Sequence, residues 1–289
     1  MTTVGWEPAF KAKLRLIAKE KNCDPADLWQ TLMIERFLVR LARSEYRQHF
    51  ILKGATLLSR YVDLGRGTMD IDFLACKVRN ETSNVLTIFQ NVARIELNDG
   101  FAFKEIEAKA LIHPHMNYSG TQVAMMAFFG RTRCKVFVDI GFGDVVEPTI
   151  QNLPLISYSG GPLFENSVEM LCYPKEFILA EKIETIIHRG GENSRMKDFH
   201  DVCSLINHFG KHVPFEVETT IRQVFQHRGT TLSFPVVYAN DDLIRLRAFW
   251  VGYAKGLPEG KRRRLPEKFD DVIRCINEWI QNSTLHLKT

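Results

Sequence analysis

Phe50-Ile51-Leu52-Lys53-Gly54-Ala55-Thr56, followed by Asp70-Ile71-Asp72-Phe73, decides how this chain is read. In an extended strand, side chains alternate between faces, so Asp70 and Asp72 point to the same side. Two carboxylates held side by side repel and raise each other's pKa, and a hard cation that prefers oxygen ligands, such as Mg²⁺, keeps them ionised. Leu52, Ile71, Phe73 and Leu74 around them are apolar. Acidic groups set among buried positions need a partner or a metal to offset lost hydration. An Asp-x-Asp on a solvated strand edge is the alternative, and the apolar flanks argue against it. Upstream, the apolar run ends in Lys53-Gly54-Ala55-Thr56 and leads into a helix-like Leu57-Leu58-Ser59-Arg60-Tyr61. A small-residue turn there presents backbone N–H groups where a helix begins, which suits a phosphate.

On the N-terminal side, Phe10, Leu14, Ile17 and Ala18 recur at helical spacing within residues 8 to 20. Asp24-Pro25 pairs an N-cap residue with proline at the first helical position and opens a second helix through Leu28, Leu32, Ile34, Phe37, Leu38 and Leu41. These two helices are expected to scaffold the core. Arg36, Arg40, Arg43 and Arg47 give the second one a basic face, which either is solvated or positions nucleic acid. On the C-terminal side, a helix is expected from about Ser83 to Leu97, stopped by Asn98-Asp99-Gly100, and then a strand from Phe101 to Lys109. Thr121 to Phe129 and Thr132 to Asp139 read as a hairpin about Gly130-Arg131. Alternation in its second strand sets Cys134, Val136 and Val138 on one face and Lys135, Phe137 and Asp139 on the other. A third carboxylate at a strand end is what metal-assisted phosphoryl transfer needs. Asp139-Ile140-Gly141-Phe142-Gly143-Asp144 is also glycine-rich, so a solvated turn is the competing reading.

The Pro-, Ser- and Gly-rich stretch from Gln151 to Gly161 reads as a linker, and the remainder of the chain beyond it as mostly helical. Within Pro174 to Arg189, Lys182 has Ile178, Leu179 and Ile186 as its i±3 and i±4 neighbours, so its ammonium either snorkels to water or points into a site. Asp198 and Asp201 sit three apart at the start of the next helix, where acidic residues also complement the helix dipole. Lys261-Arg262-Arg263-Arg264 is the one dense basic run, and a solvated surface is its ordinary explanation.

Composition narrows the class. A chain of 289 residues with 45% hydrophobic and 25% charged residues has the make-up of an ordinary globular protein, long enough for two domains. No apolar run reaches membrane-span length and Met1-Thr2-Thr3-Val4-Gly5-Trp6-Glu7 lacks the regions of a signal peptide, so a cytoplasmic location and no membrane partner are expected. Six scattered cysteines with no Cys-x-x-Cys point to reduced thiols rather than structural zinc. A net charge of +4 permits a nucleic-acid partner without demanding one.

Taken in order, Glu35-Arg36-Phe37-Leu38-Val39-Arg40-Leu41, the Phe50 to Leu58 stretch, Arg66-Gly67-Thr68-Met69-Asp70-Ile71-Asp72, Val138-Asp139-Ile140-Gly141-Phe142-Gly143-Asp144, Ala180-Glu181-Lys182 and Asn193-Ser194-Arg195-Met196-Lys197-Asp198-Phe199-His200-Asp201 resemble the AbiEii/AbiGii-type nucleotidyltransferase toxins, within the DNA polymerase β-like superfamily. The resemblance covers roughly residues 30 to 210. It implies an α/β (α+β) fold: N-terminal helices over residues 1–48, a nucleotidyltransferase-like mixed sheet with helices over 49–160, and a helical C-terminal domain over 161–289. It implies transfer of NMP from an NTP to an RNA acceptor, with tRNA the first candidate, and restraint by a separately encoded antitoxin. The metal would be Mg²⁺ or Mn²⁺ on Asp70, Asp72 and Asp139, with Asp139 preferred to Asp144. Lys182 and Asp198 complete the expected catalytic set. Lys53, Gly54, Ala55, Thr56 and Lys182 would hold the nucleotide, and Arg66, Thr68, Arg195 and Asp201 are secondary candidates. In this fold the turn usually reads Gly-Gly or Gly-Ser, so at Gly54-Ala55 a serine contact to phosphate must be replaced by Thr56 or by backbone amides. Two rivals remain open at this point: a nucleotide-binding regulatory module without transfer activity, which Ala55 favours, and a metal-dependent nuclease.

Overall fold

The structure, a computed structural model, describes residues 7–62, 64, 70–111, 119–144, 146–210, 212–257, 259–262 and 265–283. In chain order these form α1 (Glu7–Glu20), α2 (Pro25–Ala42), β1 (Phe50–Lys53), α3 (Gly54–Leu58), β2 (Asp70–Ala75), α4 (Thr82–Ala93), β3 (Phe101–Leu111), β4 (Gly120–Phe129), β5 (Thr132–Gly141), β6 (Thr149–Pro154), β7 (Ser157–Tyr158), β8 (Gly161–Pro162), β9 (Ser167–Cys172), α5 (Lys175–Arg189), α6 (Met196–Phe209), α7 (Phe215–Arg228), α8 (Asn240–Lys255), α9 (Glu259–Arg262) and α10 (Phe269–Gln281). They fall into two compact units, Met1–Arg60 with Gly67–Tyr173, and Tyr61–Arg66 with Pro174–Thr289.

The first unit is a mixed seven-stranded sheet in the order β3-β4-β5-β2-β1-β9-β6. β2 runs parallel to β5 and β1 parallel to β9, and the remaining neighbours are antiparallel. The hairpin forms at Gly130-Arg131, with Phe129 paired to Thr132. Ile71, Phe73, Val123, Met125, Val136, Val138 and Ile140 are buried on one face. That face is where the apolar sides of α2 and α4 pack, because period-2 strands and period-3.6 helices can each bury only one side. Phe37 stacks on Phe89 at 5.5 Å between ring centroids, and Phe89 meets Phe50 edge-on at 5.4 Å. Phe10 of α1 is buried and lies 4.8 Å from Phe129, so α1 also packs as scaffold.

Asp24 caps α2 as its position predicts, accepting the Ala26 N–H at 2.6 Å. Two expectations are corrected. Arg36 and Arg40 do not form a solvated or nucleic-acid face, since they are 1% and 2% exposed and converge on Asp99. Charged groups are stable at that depth because Asp99, Glu165 and the Phe101 carbonyl take up most of their donors, Arg40 Nε being the exception. Nor is Gln151 to Gly161 a linker. β6 takes up its first part and pairs with β9 inside the sheet, and β7 and β8 form a small ribbon beyond it. Pro154 is tolerated because β6 is an edge strand, and Gly160 and Gly161 fall at the turn and second strand of the β7–β8 ribbon.

The second unit is helical. Phe199 of α6 meets Phe269 of α10 edge-on at 5.1 Å, and Arg228 of α7 bonds Glu181 and Glu184 of α5 at 2.9 Å each. Among the described residues no helix is long and apolar enough to cross a membrane.

Candidate active site

The register of three strands assembles the first cluster. Lys53 of β1 lies opposite Asp72 of β2, Asp72 beside Asp139 of β5, and Asp139 opposite Gln122 of β4. Residues paired across a sheet share a face, so these four form one polar row. Asp70, two residues before Asp72, is on the same face one row away, beside Phe137. All three carboxylates are half-buried. Gln122 donates its Nε2 to Asp139 Oδ1 at 2.8 Å, which fixes the orientation of that carboxylate.

Gly54 supports the row from below. Its φ is +67°, and a Cβ built there would fall 1.9 Å from Asp72 Oδ2. Only glycine accepts both the left-handed backbone and that approach. Thr56 is 3% exposed and donates its hydroxyl to the Asp70 carbonyl at 2.7 Å. Its hydroxyl proton is therefore committed to holding α3 against β2.

Lys53 reaches the loop after β5, where its ammonium donates to Asp144 Oδ2 at 3.0 Å. Tyr173, fully buried, donates its hydroxyl to the same oxygen at 3.2 Å. Sequence reasoning sets Asp144 aside because it lies past the strand, and gives Tyr173 and Gln122 no part. Gln122 is within reach of such reasoning: counting back from the hairpin turn pairs it with Asp139. Nothing in the sequence brings Tyr173 beside Lys53, since that contact depends on β9 joining the sheet next to β1.

A second cluster lies within the helical unit. Lys182 of α5 places Nζ 2.8 Å from Asp198 Oδ1 and 2.8 Å from Asp201 Oδ2, both on α6. The two aspartates are 2% and 0% exposed. Arg195 donates Nε to the other Asp198 oxygen at 2.7 Å. Burial works against the Lys182 charge, but Asp201 and Asp198 outweigh it and hold the pKa above the ordinary lysine value. Burial likewise opposes the Asp198 charge, and the Lys182 and Arg195 cations draw its pKa down to about 2. Both aspartates bind a lysine, so capping is not all they do. Arg66 and Thr68 lie outside the described residues.

Among the described residues no three or more His, Cys, Asp or Glu side chains are gathered as a ready metal cage. Mg²⁺ does not require one: it keeps several waters and is held by one or two carboxylates together with substrate phosphates. Asp70, Asp72 and Asp139 offer only carboxylate oxygens, on one face of adjacent strands, and that donor set fits a hard divalent cation.

The family model described as "Nucleotidyl transferase AbiEii toxin, Type IV TA system" matches residues 36–274. In fold, the chain is similar to the crystal structure of JHP933 from Helicobacter pylori, with TM-score 0.53 and 14% identity over 91% of this chain and 93% of that one. It is also similar to MenT4, a nucleotidyltransferase toxin from Mycobacterium tuberculosis, with TM-score 0.51 and 14% identity over 93% of this chain and 98% of that one. By sequence, no curated protein matches.

Proposed function

The chain belongs to the AbiEii family of nucleotidyltransferase toxins, and on that premise we propose that it transfers NMP from an NTP to an RNA acceptor, with tRNA the first candidate. Family membership makes it a toxin–antitoxin nucleotidyltransferase, with an NTP substrate and an antitoxin partner. The observation that carries the finer reading is the Asp72–Asp139 pairing in one row, with Asp70 on the same face and the Gly54 backbone against Asp72.

Asp70, Asp72 and Asp139 would hold Mg²⁺ or Mn²⁺, which supplies charge stabilisation at the α-phosphate and the leaving pyrophosphate. Gln122 keeps Asp139 turned to one orientation. Backbone amides around Gly54 and the Lys53 ammonium bind triphosphate oxygens. Lys182 has three N–H donors, and Asp198 and Asp201 take two of them. The two carboxylates keep the amine protonated, the form in which a lysine binds a phosphate.

Incubation with each labelled NTP, Mg²⁺ and total RNA tests the proposal. Label in RNA supports it, RNA cleavage without label identifies a nuclease, and nucleotide binding alone identifies a regulatory module.

A further inference from the structure

The geometry points to Asp144 and Tyr173 as positioning residues that hold the Lys53 ammonium beside the Asp72–Asp139 pair, an inference that rests on the metal–nucleotide reading above. Lys53 ends β1 in an extended conformation, φ −138° and ψ −165°, directly before the Gly54 turn. Its side chain does not stop at β2. A Cβ built on Gly141, in β5, would be 3.7 Å from Lys53 Nζ, so the chain crosses β2 and its ammonium rests where β5 carries no side chain. Gly143, with φ +87°, turns the backbone after β5 and brings Asp144 to that ammonium.

Tyr173 completes the arrangement. Its N–H bonds the Leu52 carbonyl at 2.9 Å, which locks it beside β1, and its ring lies 5.1 Å from Lys53 Nζ. The Lys53 and Asp144 side chains are 17% and 10% exposed, so their pairing is worth more than one formed in open water. A buried hydroxyl donor on the acceptor carboxylate fixes the point toward which the ammonium is drawn.

The consequence concerns the metal ligand. Lys53 stands opposite Asp72 in the β1–β2 register. Neutralising Asp144 removes a carboxylate that draws the ammonium over Gly141 and so favours its approach to Asp72. An ammonium settled there competes with a cation for the same oxygens. Asp144 thus acts on the site through Lys53, not by touching the nucleotide.

The test is equilibrium binding of a fluorescent NTP analogue as a function of Mg²⁺, in the full chain, for wild type, Asp144→Asn, Tyr173→Phe, Lys53→Met and the Lys53→Met/Asp144→Asn pair. Asp144→Asn should raise the half-saturating Mg²⁺ by about tenfold, the scale of one charge-assisted contact. Tyr173→Phe should shift it less and in the same direction. In the Lys53→Met background, Asp144→Asn should leave it unchanged, an interaction that a purely structural role would not produce. Equal Mg²⁺ requirements in wild type, Asp144→Asn and Tyr173→Phe, or an Asp144→Asn shift that persists without Lys53, would overturn this inference and leave the site reading standing. No Mg²⁺-dependent nucleotide binding by the wild type would overturn both.

Discussion

Gly54 and Asp72 occupy the same space but for one methyl group: a Cβ on Gly54 would fall 1.9 Å from Asp72 Oδ2. Gly54→Ala therefore adds left-handed backbone strain of about 1–2 kcal/mol and also drives the Asp72 carboxylate out of its row. The melting temperature should fall modestly, while Mg²⁺-dependent nucleotide binding is lost. Retained binding in a folded Gly54→Ala protein would show that the Asp72 position is not critical.

Lys182 lies between two buried carboxylates, so its removal should be felt as lost stability as well as lost function. Lys182→Ala leaves Asp198 and Asp201 uncompensated at a cost of about 3–5 kcal/mol. From sequence the lysine is expected to face the nucleotide with little effect on the melting temperature. The ion pairs reverse the second half of that expectation. Chemical denaturation of Lys182→Ala beside Lys182→Met/Asp198→Asn/Asp201→Asn measures it: the triple variant should recover much of the loss.

Acid should expose the same cluster. The folded-state pKa of Asp198, about 2, is below its ordinary 3.8. Its contribution is full above the ordinary value and lost as pH falls through the folded one, so the window runs from about pH 4 to about pH 2. Lys182, with a raised pKa, keeps its contribution at all lower pH and loses it only in strong alkali. Denaturation midpoints of Asp198→Asn should lose part of the wild-type slope in that acid window. Identical slopes would mean that Asp198 titrates normally.

Most of the first cluster is legible in the sequence because its determinants are local. Alternation puts Asp70 and Asp72 on one face, and a tight hairpin fixes Asp139 on the next strand. The features that sequence misses depend on partners distant in the chain. Arg36 and Arg40 read as a surface because Asp99 and Glu165, their partners, come from other elements. β6 reads as a linker because an edge strand tolerates Pro154 and its partner β9 comes only after the small, glycine-containing β7–β8 ribbon. Lys182 is correctly set apart from the solvated face, but which acids it meets is decided by how α5 packs on α6.

The buried arginines give a prediction of their own. Arg40→Ala leaves Asp99 short of its best partner, a loss of about 3–5 kcal/mol. It should leave the salt dependence of RNA binding unchanged, because Arg40 does not reach solvent. A flattened salt slope with unaltered stability would return α2 to the RNA path.

The basic run 261–264 is the better candidate for that path. Of its side chains only Arg262 is described, and it is exposed. Replacing Arg262, Arg263 and Arg264 by glutamine should weaken RNA binding and lower the log–log salt slope by roughly 0.7 to 0.9 for each phosphate no longer neutralised. NTP binding measured alongside separates loss of an RNA contact from damage to the nucleotide site. Equal slopes for variant and wild type would remove this run from the RNA interface.

The most direct measurement is transfer of label from an α-labelled NTP to RNA, in Mg²⁺, by the wild type and by Asp72→Asn. The account predicts labelled RNA with the wild type and none with Asp72→Asn, whose fold survives because removing one carboxylate relieves repulsion in the row. Full transfer by a folded Asp72→Asn protein would contradict it.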